Sequence, residues 1–387
     1  MEERVRSGFA DSAARHPRIV AGFRAVVARR LWIIGAAALL MAILDGRGSF
    51  DVQDPELFID AGKKLFSGDA LNVFADETVQ EGPIGLLFWG VIGQISALIN
   101  VDPRMIAALV IYLGFTFAMV FLIRSALAER GRPSEDLELF AAAIVLFGGL
   151  AWTMLSTGHI AEGVIPLLWF QAAREARNGR LDRAGLLLAL STGLKLWGIL
   201  GVPILLLNPT FDWRKLLRAG AILVGVVAVI WLPFVLFGEF NSFDYRWDIA
   251  NSSLIHKLFA ESTTFTWQMR AAQSAIVVLL GSALALVARG RPHADWALPL
   301  TIAAVKLLLD PILFEYYSLS IAVLAVIGAA GVAFGRWIGL LVAAAFYLAV
   351  TVPHPPYAEG VSGYSTLWTL LVASACSLGL ARRTDIQ

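Results

Sequence analysis

Residues 29–44 read RRLWIIGAAALLMAIL: two arginines, then fourteen residues without a charge. Residues 45–83 then read DGRGSFDVQDPELFIDAGKKLFSGDALNVFADETVQEGP, a long polar and aromatic stretch that ends at a proline leading another apolar block. An apolar run with no polar stripe at helical period is buried on all sides, in protein or in lipid. Arg4, Arg6, Arg15, Arg18, Arg24, Arg29 and Arg30 precede it. Positive charge beside a span marks its cytoplasmic side. The basic stretch is too long for a signal peptide and no small-x-small cleavage site follows, so 31–44 reads as a retained first span.

The rest of the chain repeats this pattern. It is 58% hydrophobic and only 16% charged, against about 25% charged residues in soluble domains. Apolar segments recur at 31–45, 83–100, 105–127, 137–156, 161–173, 184–207, 218–238, 272–289, 294–308, 312–333, 335–351 and 366–381. The expected fold is all-α: a polytopic transmembrane helical bundle of about 11–12 segments in one domain over 31–381. A basic cytoplasmic tail (1–30) precedes it and a short one (382–387) follows. The net charge of +1 leaves no basic surface for nucleic acid. Cys376 is the only cysteine, which excludes disulfides and cysteine metal sites.

Arg174, Arg177, Arg180 and Arg183 mark one cytoplasmic loop; Arg214, Lys215 and Arg218 mark a second; Arg289 and Arg291, Arg336, and Arg382 with Arg383 mark others. The loops 46–82 and 239–271 then lie outside. Two parity demands follow. Segment 184–207 has basic flanks on both sides, so it crosses twice or re-enters, with Thr192-Gly193 and Pro203 as breaks. Of the four segments in 83–173, one does not cross.

In the first outside loop, Leu57, Phe58, Ala61, Leu65 and Phe66 fall at helical spacing with Asp60, Lys63 and Lys64 opposite, the pattern of an amphipathic helix at a membrane surface. Asp54-Pro55 reads as its N-cap and first helical residue. Asp54, with Asp51 as its neighbour, also reads as a general base at the outer face.

This order of features resembles the GT-C superfamily of membrane glycosyltransferases, and more narrowly the family 87 glycosyltransferases that use polyprenyl-phosphate mannose. The match runs through Asp54, Phe58, Ala61-Gly62, Leu65 and Gly68. It continues at Gly158-His159, where the family commonly has Gly-Gln. Asn178-Gly179-Arg180, Ala184-Gly185 and Lys195 follow, then Asn251-Ser252-Ser253-Leu254, then Asp310-Pro311 with Tyr316-Tyr317. At Glu81-Gly82-Pro83 only the proline of the family's Tyr-Pro-Pro remains. The resemblance implies transfer of a sugar, mannose first, from a polyprenyl-phosphate donor to a glycolipid or cell-envelope glycan. The enzyme would sit among membrane lipids of the cell membrane, with its site facing the periplasm. It implies Asp54 or Asp51 as base, and Lys195, Arg246, His256 and Lys257 around the donor phosphate. Glu81, His159, Asn251, Asp310, Glu315 and Tyr316 would then line the sugar pocket.

Each residue also has a plainer reading. Lys195 inside an apolar stretch marks function or a snorkelling side chain. Lys306 and Asp310, four apart, form an ion pair on one helix face. Tyr245, Trp247, Trp267 and Arg270 suit a sugar and a phosphate, or an interfacial belt. No histidine has a partner at metal-ligand spacing, so no protein-encoded metal site or other cofactor is expected; a divalent cation bridging phosphate and carboxylate has no support in the sequence. Pentose (arabinofuranosyl) transfer, a transporter or flippase of lipid-linked intermediates, and a non-catalytic assembly subunit are the rival readings.

Overall fold

The computed structural model describes residues 22, 25, 27–50, 53–131, 135–251, 253–259, 262–291, 293–312 and 314–327. The expected segments 335–351 and 366–381, the terminal tail 382–387, most of the tail 1–30, and Asp51 lie outside the described residues. The protein is an all-α polytopic membrane protein. The described residues hold helices α1 (Arg30–Asp45), α2 (Asp54–Lys64), α3 (Pro83–Ile99) and α4 (Pro103–Glu129). Next come α5 (Glu135–Phe147), α6 (Leu150–Thr157), α7 (Ile160–Arg177), α8 (Leu181–Leu194), a 3-10 stretch Leu196–Leu207 and α9 (Trp213–Phe237). A two-stranded hairpin, β1 (Trp247–Asp248) with β2 (Thr264–Phe265), encloses α10 (Leu254–Leu258). It leads to α11 (Trp267–Ala288), α12 (Ala294–Leu308) and α13 (Ser318–Ala325).

Four helical stretches are long and apolar enough to cross a membrane: Pro103–Glu129, Glu135–Thr157, Trp213–Phe237 and Trp267–Ala288. The last two have exposed apolar flanks, with Val224, Val229 and Leu279 each at least 65% exposed. Patches of that kind on an apolar helix fit a lipid-facing rim.

Charged side chains gather at the two ends of the bundle. At one end Glu138 pairs with Arg30 at 2.7 Å and with Arg124 at 2.6 Å. Asp295 pairs there with Arg130 at 2.7 Å and Arg177 at 3.0 Å, and Arg174 meets Glu129 at 2.7 Å. These pairs tie the ends of α1, α4, α5, α7 and α12 together. The opposite end holds the helix termini around Asp45, Asp54, Lys195, Arg270 and Asp310.

Both parity demands have a geometric answer. Helix α8 stops at Lys195, whose backbone is extended (φ −160°, ψ 141°), and the chain doubles back as the 3-10 stretch. Ser191 Oγ donates to Gly198 O at 3.2 Å across the fold-back. The break therefore falls two residues beyond Gly193. It is not at Pro203, which sits inside the 3-10 stretch. In the 83–173 region, α3 begins and ends at the same end of the bundle. Gly82 N–H donates to Leu194 O at 2.7 Å. Past the far end of α3, Arg104 Nε donates to Asp45 O at 2.8 Å. Helix α3 lies along α2, and the two backbones touch at Gly62 and Gly90. A Cβ on either glycine would fall inside the other helix's backbone, which explains the small pair Ala61-Gly62.

Candidate active site

Asp54 opens α2, and the helix places it differently from the cap reading. Gln53 occupies the cap position and makes no side-chain cap bond, Pro55 sits in the first turn, and Asp54 is already helical. Its carboxylate turns away from the free N–H groups toward His159: Asp54 Oδ2 lies 3.0 Å from His159 Nε2. The amphipathic expectation holds within the helix, with Phe58, Ile59 and Ala61 buried and Asp60, Lys63 and Lys64 exposed, but the helix ends at Lys64 and Phe66, expected on the apolar face, is exposed.

Gly158 sets this meeting. Its φ of +76° lies in the left-handed region, where glycine carries no steric cost. A Cβ there would sit 3.0 Å from Pro55 Cα. Trp89 Nε1 donates to Gly158 O at 3.0 Å. The junction between α6 and α7 is thus pressed against the first turn of α2, and the next residue, His159, faces Asp54.

His159 is buried and its ring is sandwiched. Tyr316 stacks on it at 3.7 Å between centroids and 21° between planes, and Phe58 meets it edge-on at 5.3 Å. On the far side of the ring, Nδ1 lies 3.2 Å from Lys195 Nζ. Lys195 is held at the α8 fold-back between two buried carboxylates, 3.4 Å from Glu162 and 4.0 Å from Glu81. Trp197 Nε1 donates to Glu162 Oε1 at 3.1 Å. Glu81 is fully buried with no hydrogen bond to either carboxylate oxygen. Buried ions are costly even when paired, which makes this cluster a candidate for function.

These groups border a cavity of about 970 Å³, at the upper end of the range for small-molecule sites. Asp54, His159, Glu162 and Lys195 line it together with Trp247, Trp267, Arg270, Lys306 and Tyr316. Arg270 bonds Asp310, stacks over Trp247 at 4.5 Å and over Phe265 at 4.9 Å. Lys306 meets Asp310 at 2.7 Å, the ion pair that the spacing predicts. Asp310 is fully buried and Gln273 Nε2 donates to its Oδ1 at 2.9 Å. Asp310 is absent from the cavity lining and holds two lining cations from behind.

The cavity is therefore sorted by charge. One part of its wall carries Asp54 and Glu162 with His159 and Lys195, and another carries Arg270 and Lys306. The hydrogen bond from His159, opposed by partial burial and aided by the charge of Lys195, holds the Asp54 carboxyl below its usual range. Asp54 is consequently an ionised carboxylate at neutral pH, with 46% of its side chain exposed on the cavity wall. Burial, and next the charge of Asp248, push the Tyr245 phenol up, so this lining residue stays a neutral hydroxyl.

The other residues singled out by sequence lie elsewhere. Arg246 is exposed just before β1, Lys257 is exposed and His256 half-buried in α10, and Asn251 is exposed; none of the four lines the cavity. Glu81 lies behind Lys195 and is likewise not in the lining. Glu315 falls in the 3-10 turn Glu315–Tyr317, and its side chain lies outside the described residues. Sequence reasoning passed over Glu162, although it is the only charge in the apolar segment 161–173, a signal that points to function. Arg270 and Lys306 drew only general readings. Among the described residues, no group of three or more His, Cys, Asp or Glu forms a metal-sized cluster.

A family model, glycosyltransferase family 87, matches residues 83–311, more than half of the chain. The matched range holds His159, Glu162, Lys195, Arg270 and Lys306, while Asp54 precedes it. No curated protein matches the chain.

Proposed function

The chain belongs to glycosyltransferase family 87, and on that premise we propose that it transfers a sugar from a polyprenyl-phosphate donor to a glycolipid or envelope-glycan hydroxyl. Mannose is the first candidate, as the resemblance implies. The observation that carries the reading is the charge-sorted cavity: an ionised, half-exposed Asp54 on one part of the wall and the cations Arg270 and Lys306 on another.

Transfer needs two things at once. The acceptor hydroxyl must lose its proton as its oxygen attacks the anomeric carbon, and the bond from that carbon to the phosphate oxygen must break. Asp54 takes the proton. The departing phosphate gains negative charge, and cations fixed beside it stabilise the transition state more than the ground state. Arg270 is the stronger candidate for this task, because its planar fork suits a phosphate and its orientation is already set by Trp247 and Asp310. Lys195 belongs with Asp54: Glu81 and Glu162 already engage its charge, so it serves the base before it serves the phosphate. Trp247, Trp267 and Tyr245 supply aromatic rings for a sugar, while Tyr316 is taken up by its stacking on His159 and Phe314. The arginine-rich end is the cytoplasmic one by the positive-inside rule, which turns the cavity toward the opposite side of the membrane.

The test is transfer of radiolabelled mannose from a polyprenyl-phosphate donor to a membrane glycolipid extract by purified protein and by its Asp54→Asn variant. Transfer lost in the variant supports reaction class and base together. Full transfer by the variant overturns Asp54 as base. Transfer only from a polyprenyl-phosphoryl pentose replaces the hexose.

A further inference from the structure

The Asp54 carboxylate points one oxygen at an imidazole, and that imidazole is itself held by an ammonium. Lysine ammonium only donates, so the 3.2 Å contact from Lys195 Nζ makes His159 Nδ1 the acceptor. The single proton of the neutral ring then sits on Nε2 and is donated to Asp54 Oδ2 over 3.0 Å. A proton on Nδ1 would face the ammonium donor to donor. Stacking by Tyr316 and the edge of Phe58 prevents the ring from rotating out of this alignment.

We infer that His159 is the positioning residue of the base, with Lys195 fixing its tautomer so that Nε2–H orients one oxygen of Asp54 and leaves the other for the acceptor hydroxyl. The inference rests on the glycosyl-transfer reading of the same cavity. The charged and titratable groups that face the pair are Asp54 on α2, Glu81 ahead of α3, Glu162 on α7, Lys195 at the α8 fold-back and Tyr316 in the turn before α13. Among the described residues, Lys195 alone is within hydrogen-bond distance of Nδ1, and Glu81 stands 3.8 Å away.

A positioning role acts on the reacting geometry and hardly on substrate affinity. Misplacement of a base by about 1 Å costs on the order of 100-fold in rate. His159→Ala is therefore expected to lower kcat by about 10- to 100-fold while the donor KM moves by no more than about twofold. Because the His159 hydrogen bond is the main influence lowering Asp54, its loss moves the acid limb of the rate profile to higher pH. His159→Gln places an amide N–H near the position of Nε2, so it restores kcat and returns the acid limb toward the wild-type position. A glutamine variant as poor as the alanine variant, a loss carried by KM, or an unmoved acid limb overturns the inference.

A second readout needs no turnover. Infrared titration of the ligand-free full-length protein, with Asp54→Asn as the subtraction, follows the Asp54 carboxylate band directly. Its midpoint is expected to rise in His159→Ala and to fall back in His159→Gln, with both variants checked for a wild-type thermal midpoint. If the donor is wrong and no protein turns over, this titration still decides the inference: an unmoved midpoint sinks it while leaving the reaction class to other donors.

Discussion

The two ends of the helical bundle bury similar charges and use them differently. At the arginine-rich end, Glu138 lies between Arg30 and Arg124, and Asp295 between Arg130 and Arg177, and all but the Arg124 pair join segments more than 100 positions apart. Neither carboxylate lines the cavity that Asp54 and Arg270 border. At the opposite end, Glu81 has no hydrogen bond and Lys195 is divided among two carboxylates and an imidazole. Asp54 and Arg270 face open space. Burial of charge is therefore not the mark of a site. Incomplete pairing alone is not the mark either, since Asp295 Oδ1 also has no hydrogen bond; charged groups that line a cavity are the better mark, because they are open to a substrate.

The contrast breaks most visibly at Asp54. Asn there keeps the shape and is expected to lower kcat by about 1,000-fold, in the usual range for a general base, with an unchanged thermal midpoint. A midpoint that drops with activity would make Asp54 structural, like the opposite end. Arg270→Gln comes next, with about a 100-fold loss in kcat/KM for the donor, the scale of one transition-state charge contact. Donor titrations in steady state read it, and an effect confined to the acceptor would shift the phosphate assignment to Lys306 or Lys195.

Glu138→Gln tests the other end. It removes the carboxylate that Arg30 and Arg124 share, a loss of about 2 kcal/mol for charged hydrogen bonds to partly exposed guanidinium groups, with Arg30 still paired to Glu135. Thermal unfolding in detergent should show the drop, while activity per folded molecule stays at the wild-type value. Altered kcat in the folded fraction would mean that the two ends are coupled. The smallest effect is expected for Trp197→Phe, which removes the indole N–H from Glu162 and costs about 1 kcal/mol for one hydrogen bond. A larger loss of activity than of stability there would move Glu162 from support to chemistry.

Much of this was legible before any coordinates. The surface helix over 54–64 follows from the spacing of Phe58, Ala61 and Leu65 against Asp60 and Lys63, because an interface separates apolar from charged faces wherever it lies. The return at Lys195 follows from arginines on both sides of 184–207. Other features were not legible. Asp54-Pro55 has the residue types of a cap, and residue type alone does not tell a capping carboxylate from one turned to a histidine 105 positions away. The sequence segment 239–271 holds Arg246, Lys257 and Arg270 together, yet only Arg270 reaches the cavity, because it lies in the first turn of α11 while Arg246 precedes β1 and Lys257 lies on α10.

By itself, the sequence determined the membrane-embedded, all-helical class, the arginine-rich end and the first loop as the place to look. These depend on hydrophobic length and charge bias, which are additive along a chain. Only the tertiary structure decided that Asp54, His159, Lys195 and Glu162 form one network, that Arg270 and Lys306 share their cavity, and that Asp310 stands behind it. Those groups come from segments more than 250 residues apart, and a hydrogen bond or an ion pair exists only where packing brings its two atoms within about 3 Å.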